Sequence, residues 1–127
     1  MALRRLDHLL VLTDDIDATR DFYRDALGLE VGDRPPLEFP GYWLYAEGVP
    51  CVHVAEREAY TAHAQEVGLA VSPGAVDHVA FTASDFDEAA ARAGAGAVRH
   101  DVPAAGLRRL FVEDPNGVKI EINVKEG

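Results

Sequence analysis

The chain repeats itself. Leu6-Asp7-His8-Leu9 returns as Val76-Asp77-His78-Val79 seventy residues later. The same offset carries Asp15-Ile16-Asp17 onto Asp85-Phe86-Asp87, and an offset of sixty-eight carries Cys51-Val52-His53-Val54 onto Lys119-Ile120-Glu121-Ile122. A repeat of this length is one supersecondary unit used twice. Halves of about sixty residues are marginal alone, so they are expected to share a core or to dimerise. The 127 residues then read as a single domain over 1–127. A first module covers about 1–56, a linker about 57–74, and a second module about 75–127.

Hydrophobic patterning gives both modules the same element order. Residues 5–13 read as a strand. Asp14-Asp15 offers a helix cap, and Ile16, Thr19, Arg20, Tyr23, Ala26 and Leu27 recur at helical spacing before Gly28 closes the helix. A short strand follows over 29–32. A loop with Pro35, Pro36 and Pro40 comes next, then a hairpin of Tyr42–Ala46 with Cys51–Ala55. Residues 57–73 are charged and Ala-rich, a linker expected to hold a short helix. The second module repeats the scheme: a strand over 76–82, a helix capped by Ser84 or Asp85 and running to about Ala93, and a strand near 97–101. Its last hairpin, Leu107–Glu113 with Val118–Val124, is closed by Asp114-Pro115-Asn116-Gly117. The prediction is an α+β fold of two βαβββ modules.

Side chains alternate across a strand. His8 therefore shares a face with Leu6, Leu10 and Leu12, His53 with Cys51 and Ala55, His78 with Ala80 and Thr82, and Glu121 with Lys119 and Asn123. In three of these four strands the opposite face is branched and apolar, suited to a covering helix, while the ligand-bearing face is small or polar. A buried Glu121 would be costly without a cation or proton to offset it. Three imidazoles and one carboxylate suit a divalent transition metal. Parity places these groups on shared faces and does not by itself make them converge.

The net charge of −10 argues against nucleic-acid partners and anionic membrane surfaces. No stretch approaches the length of a membrane span. One cysteine, Cys51, cannot form an internal disulfide, so a reducing cytoplasm is the expected compartment. The first residues show no signal-peptide pattern.

The segments Leu6-Asp7-His8, Asp21-Phe22-Tyr23-Arg24-Asp25-Ala26-Leu27-Gly28-Leu29, Val76-Asp77-His78-Val79-Ala80-Phe81 and Phe111-Val112-Glu113-Asp114-Pro115-Asn116-Gly117-Val118-Lys119-Ile120-Glu121 together resemble the vicinal oxygen chelate superfamily, with its glyoxalases, extradiol dioxygenases and bleomycin-binding proteins. The resemblance covers nearly the whole chain. It implies curved mixed sheets around a shared cleft, with helices on the outer faces. It also implies a metal held by His8, His78 and Glu121, with His53 at a fourth position as ligand, outer hydrogen bonder or acid–base group beside the metal. Glu121 and His53 are then the catalytic candidates. The ion would be Fe2+, Ni2+, Zn2+, Co2+ or Mn2+. Arg109, Phe111 and Cys51 take cleft parity, with Arg109 read as an anion anchor or a solvated base. Trp43 and Tyr45 line the pocket or pack the core. His63 and His100 are expected at the surface.

The implied activity is chelation of vicinal oxygens on a small substrate, with an aromatic or apolar one suggested by the Phe39, Tyr42, Trp43 and Tyr45 cluster, and stabilisation of an enolate-like anion in lyase or isomerase chemistry. Iron(II) ring cleavage and non-enzymatic sequestration of a small molecule or antibiotic are the alternatives. Relatives that only sequester have lost these ligand types, whereas this chain keeps a candidate at all four positions. The resemblance also implies a homodimer in which the sites are shared between chains.

Overall fold

The structure is a computed structural model that describes residues 2–72 and 74–125. Pro73 of the linker lies outside them. Two four-stranded mixed sheets carry the chain. The first contains β1 (Leu9–Thr13), β2 (Glu30–Gly32), β3 (Gly41–Ala46) and β4 (Val49–Glu56) in the order β1-β4-β3-β2. The second contains β5 (His78–Thr82), β6 (Val98–Arg99), β7 (Leu107–Glu113) and β8 (Lys119–Lys125) in the order β5-β8-β7-β6. In each sheet the first strand pairs parallel to the last and the other neighbours are antiparallel. The repeat in the sequence is thus a repeat in topology, and the α+β architecture of two βαβββ units is the one observed.

Each crossover helix starts where an aspartate caps it. Asp15 accepts from Ala18 N at 2.9 Å at the head of α1 (Ile16–Asp25), and Asp85 accepts from Glu88 N at 3.1 Å at the head of α3 (Phe86–Ala93). The β3–β4 turn is Glu47-Gly48, both at positive φ, which suits a tight hairpin. The linker holds more helix than its composition suggests: α2 (Arg57–Glu66) runs ten residues and packs on β1 and β4. That packing accounts for the apolar Leu10 and Leu12 on the His8 face, and Ala55, on the His53 face, is fully buried.

Two strands begin later than the pattern suggests. β1 starts at Leu9, not at residue 5, and β5 at His78, not at 76. Both are edge strands with a single partner. Leu9 pairs with Val52, three residues into β4, and His78 pairs with Lys119 at the very start of β8. Upstream of His78 no β8 residue stands opposite, whereas upstream of Leu9 the opposing β4 segment includes Pro50, which has no N–H to donate. Leu6 and Val76 are almost fully exposed. β6 is likewise reduced to two residues.

The two sheets share one core. Val11, Leu44, Val52 and Val54 of the first cluster with Val112 and Ile120 of the second, with Tyr23 of α1 among them. Phe86 of α3 closes a second cluster with Leu110, Ile122 and Val124. A buried polar line runs along the seam. Tyr23 donates its hydroxyl to Asp114 Oδ2 at 2.9 Å, and Asp114 Oδ1 accepts from the backbone of Asn116 and Val118, each at 2.8 Å. Asn116 Nδ2 reaches Thr19 Oγ1 at 2.9 Å, and Thr19 reaches Thr13 at 3.0 Å. Burial and the neighbouring Asp114 carboxylate push the Tyr23 phenol far above its ordinary range, so it stays a donor.

Tyr23→Phe removes one donor and leaves Asp114 with two. Asp114→Ala strands the Tyr23 hydroxyl and two backbone N–H groups. Urea unfolding at fixed protein concentration should show a loss of about 1–2 kcal/mol for the first and about 3 kcal/mol or more for the second. Equal losses, or the reverse order, would remove Asp114 as the seam's anchor.

Candidate functional site

Both Asp–His pairs of the repeat fold alike. His8 stands just ahead of β1 and His78 opens β5, and in each the preceding aspartate turns onto the ring. Asp7 Oδ2 lies 2.7 Å from His8 Nδ1, and Asp77 Oδ2 lies 2.8 Å from His78 Nδ1. A carboxylate only accepts, so each Nδ1 carries the proton and each Nε2 presents a lone pair. The bond to His8 holds Asp7 below the usual carboxylate range. Lys119, which donates to Asp77 Oδ2 at 2.8 Å, does most of the same for Asp77, with His78 adding to it. Carboxylates placed this way orient metal-binding imidazoles. The sequence reading passes over Asp7, Asp77 and Lys119, although the aspartate precedes the histidine in both halves.

In the second sheet, Ala80 of β5 pairs with Glu121 of β8, and His78 Nε2 comes to 3.5 Å from Glu121 Oε1. Two acceptors that face each other at this distance need a cation or a proton between them. Glu121 is buried. Its cationic neighbour, Arg109 Nη1, stands at 3.4 Å. The gap matches two metal–ligand bonds of about 2.1 Å meeting near a tetrahedral angle. These residues fit a divalent transition metal.

Arg109 is not a freely solvated base. Its Nε donates to His100 O at 3.1 Å, its Nη2 lies 2.7 Å from His100 Nδ1, and its guanidinium rests 5.1 Å from the Phe111 ring centre. Phe111 pairs directly with Glu121 across β7 and β8, and its ring stands edge-on to His78 at 6.3 Å. His100, expected only at the surface, is exposed yet braces Arg109.

The first sheet presents a different surface. His53 lies between two parallel rings: His8 at 3.8 Å and 13°, and Trp43 at 4.1 Å and 9°. Its Nε2 lies 2.9 Å from Pro50 O. A carbonyl only accepts, so Nε2 carries the proton and Nδ1 the lone pair. Burial, then the close-stacked His8 imidazole, holds His53 below the usual imidazole pKa. A metal lies in the plane of each imidazole that binds it, and two nearly parallel planes 3.8 Å apart share no such point. As placed, His8 and His53 do not chelate one ion together. Trp43 is half-buried in this stack and is not a core residue. Tyr45 packs over Gly32 and donates its hydroxyl to Asp33 O. Cys51 is half-buried with a free thiol.

The four candidate ligands therefore stand as two pairs, His8 with His53 and His78 with Glu121. Among the described residues no three His, Cys, Asp or Glu side chains gather to hold an ion. His8 and His78 do border the same hollow of about 550 Å3, lined also by Leu6, Cys51, Val76 and Ala80. No helix among the described residues is long and apolar enough to cross a membrane.

Comparison with known proteins agrees with this architecture. "Glyoxylase I 4" of Arabidopsis thaliana is 29% identical over 126 residues, spanning 94% of this chain and 70% of that protein. The crystal structure of lactoylglutathione lyase from Agrobacterium tumefaciens superposes with a TM-score of 0.71 at 21% identity, covering 97% of this chain and 95% of that one. An antibiotic binding protein from Streptomyces superposes with a TM-score of 0.67 at 19% identity and 99% coverage of both chains. At these identities the two structures speak for the fold alone. The sequence model of one family matches residues 5–122, and with that span reaching from before β1 into β8 the chain belongs to the Glyoxalase/Bleomycin resistance protein/Dioxygenase superfamily.

Proposed function

We propose that this chain is a metal-dependent enzyme that binds vicinal oxygens of a small substrate and favours an enolate-like anion in lyase or isomerase chemistry. The observation that carries the reading is the His78 Nε2 lone pair facing the Glu121 carboxylate at 3.5 Å, with Nδ1 of the same ring fixed by Asp77. His8, His78 and Glu121 would hold the ion, and when bound it would supply Lewis-acid stabilisation of charge developing on two substrate oxygens. Asp7 and Asp77 keep the two imidazoles in the metal-binding tautomer. His53 stays neutral near pH 7 and offers its Nδ1 lone pair as a proton acceptor beside that site. Glu121 is the second candidate for moving a proton. Arg109 and Phe111, with Trp43, Tyr45 and Cys51 on the first sheet, are read as substrate contacts. The 29% identity to "Glyoxylase I 4" supports this class of reaction.

In this reading the chain is one domain, because its two sheets share a core, and it works as a homodimer. Each protomer offers two half-sites, one at the free edge of β1 and one at the free edge of β5. Apolar Leu6 and Val76 stand exposed at the hollow between them, as a surface that a second copy covers would. A two-fold axis would bring His8 of one chain to His78 and Glu121 of the other and form two equivalent sites. One observation also favours an iron(II) oxygenase: with His53 stacked and bonded to Pro50, the remaining ligands are two histidines and one carboxylate.

Metal analysis of protein purified without added metal or chelator separates these chemistries. Nickel, zinc, cobalt or manganese supports the first and iron the second, while no stoichiometric metal removes both and leaves sequestration. Glu121→Gln and His78→Ala should each strip the metal. Asp77→Asn should keep the fold and weaken metal binding about 10–100-fold. Full metal retention in all three would discard the site.

Sharing between chains has its own test. His8→Ala and Glu121→Gln, each deficient alone, are co-refolded. Random pairing should restore roughly a quarter of the wild-type metal, because each mixed dimer rebuilds one of two sites. No recovery in demonstrably mixed dimers would place the whole site within one chain.

A further inference from the structure

Arg34 is a cation without a counter-charge. It lies half-buried in the loop between β2 and β3. Its Nη2 donates to Phe39 O at 2.6 Å, and its Nε is shut off from solvent with no partner. No ion pair is formed by Arg34 among the described residues, whereas Arg20, Arg24, Arg57, Arg92 and Arg109 each meet a carboxylate. A guanidinium carries five donors, and a desolvated charge left unmatched is unfavourable. In a chain of net charge −10 a carboxylate would have been an easy partner to supply.

The fold holds Arg34 in place. Its guanidinium lies 5.4 Å from the Phe39 ring centre, and Phe39 is wedged against Tyr60 and His63 of α2 at 5.0 and 5.4 Å. On the strand side, Nη2 comes within 3.2 Å of where a Cβ on Gly41 would stand, a position that would also collide with Val54 O. Glycine is therefore required at residue 41. Gly41 pairs with Ala55, and Trp43, two residues along β3, pairs with His53. Two residues of strand span about 7 Å. The unmatched cation thus stands about one small molecule's length from the Trp43–His53–His8 stack.

We propose that Arg34 binds an anionic group, a carboxylate or phosphonate, on the small molecule whose body lies against Trp43 and His53. The proposal deepens the functional reading above and rests on it in taking that molecule to be the substrate. It gives the first sheet a specificity-determining cation that neither Arg109 nor the metal ligands supply.

Trp43 is the chain's one tryptophan, so its fluorescence reports directly on the stack. Benzoate, phenylphosphonate and neutral benzamide are titrated into the full chain, into Arg34→Met, Arg34→Lys and Arg109→Met, with metal content measured on the same samples. The anions should bind wild type saturably and about tenfold or more tighter than benzamide. Arg34→Met should abolish that preference and Arg34→Lys should keep part of it, both with wild-type metal. Benzamide binding as tightly as the anions would overturn the proposal, as would no saturable binding of either anion. Preference that survives in Arg34→Met but falls in Arg109→Met would overturn it in favour of Arg109. Circular dichroism checks the fold of Arg34→Met, and Arg34→Lys decides if that variant does not fold. A wild type that binds anions through Arg34 yet carries no metal would sink the enzymatic reading and leave this inference standing.

Discussion

The hydrogen bond from Tyr23 to Asp114 spans ninety-one residues and ties the first helix to the last hairpin. Its partners could not be exchanged for apolar groups one at a time, because Asp114 also satisfies the backbone of its own turn and would be left charged and dry. Around this contact Val112 and Ile120 of the second sheet close onto Val52, Val54 and Leu44 of the first. The two sheets are therefore joined through their helix-covered faces. The faces that carry His53 and Glu121 are the ones left over, and β1 and β5 are left as edges. How the chain packs at its seam decides where its chemistry can occur.

At those leftover faces the decisive detail is which nitrogen of each ring holds the proton. Asp7 and Asp77 claim Nδ1 of His8 and His78, so Nε2 is the free atom in both. Pro50 claims Nε2 of His53, so there the free atom is Nδ1. Three histidines that look equivalent by strand position therefore differ in the nitrogen they present. In the proposed site two would serve as ligands, while the third is clamped between rings with a lone pair suited to a proton.

Much of this was legible in the sequence, for identifiable reasons. The repeat placed His8, His53, His78 and Glu121 at matching strand positions because period-two alternation leaves little freedom once one face must be buried. Asp15, Asp85 and the Asp114-Pro115-Asn116-Gly117 turn announced themselves through local capping and turn chemistry. What the pattern could not carry was set by groups far apart in the chain. The late start of β5 depends on where β8 begins, and that of β1 on Pro50 in the strand opposite. The ten-residue α2 lacks a strong amphipathic pattern and is held by its packing on β1 and β4. His100 looks like a surface residue until Arg109 folds onto it across the β6–β7 edge. The stacking of Trp43, His53 and His8 comes from three strands meeting side by side, and no periodicity in a single strand reports it.

The two halves have diverged in chemistry while keeping one topology. The first offers flat stacked rings, with Asp7 on His8 and Arg34 as an unmatched cation nearby. The second offers a charged set: Glu121, Arg109, His78 and the Asp77–Lys119 pair. Bringing like halves together would put carboxylate against carboxylate in one place and leave only rings in the other. A two-fold axis that pairs unlike halves avoids both outcomes, because every cleft then receives one stacking surface and one charged surface. In the proposed dimer, divergence within the chain and symmetry between chains would serve the same end, since each cleft would contain a copy of both halves.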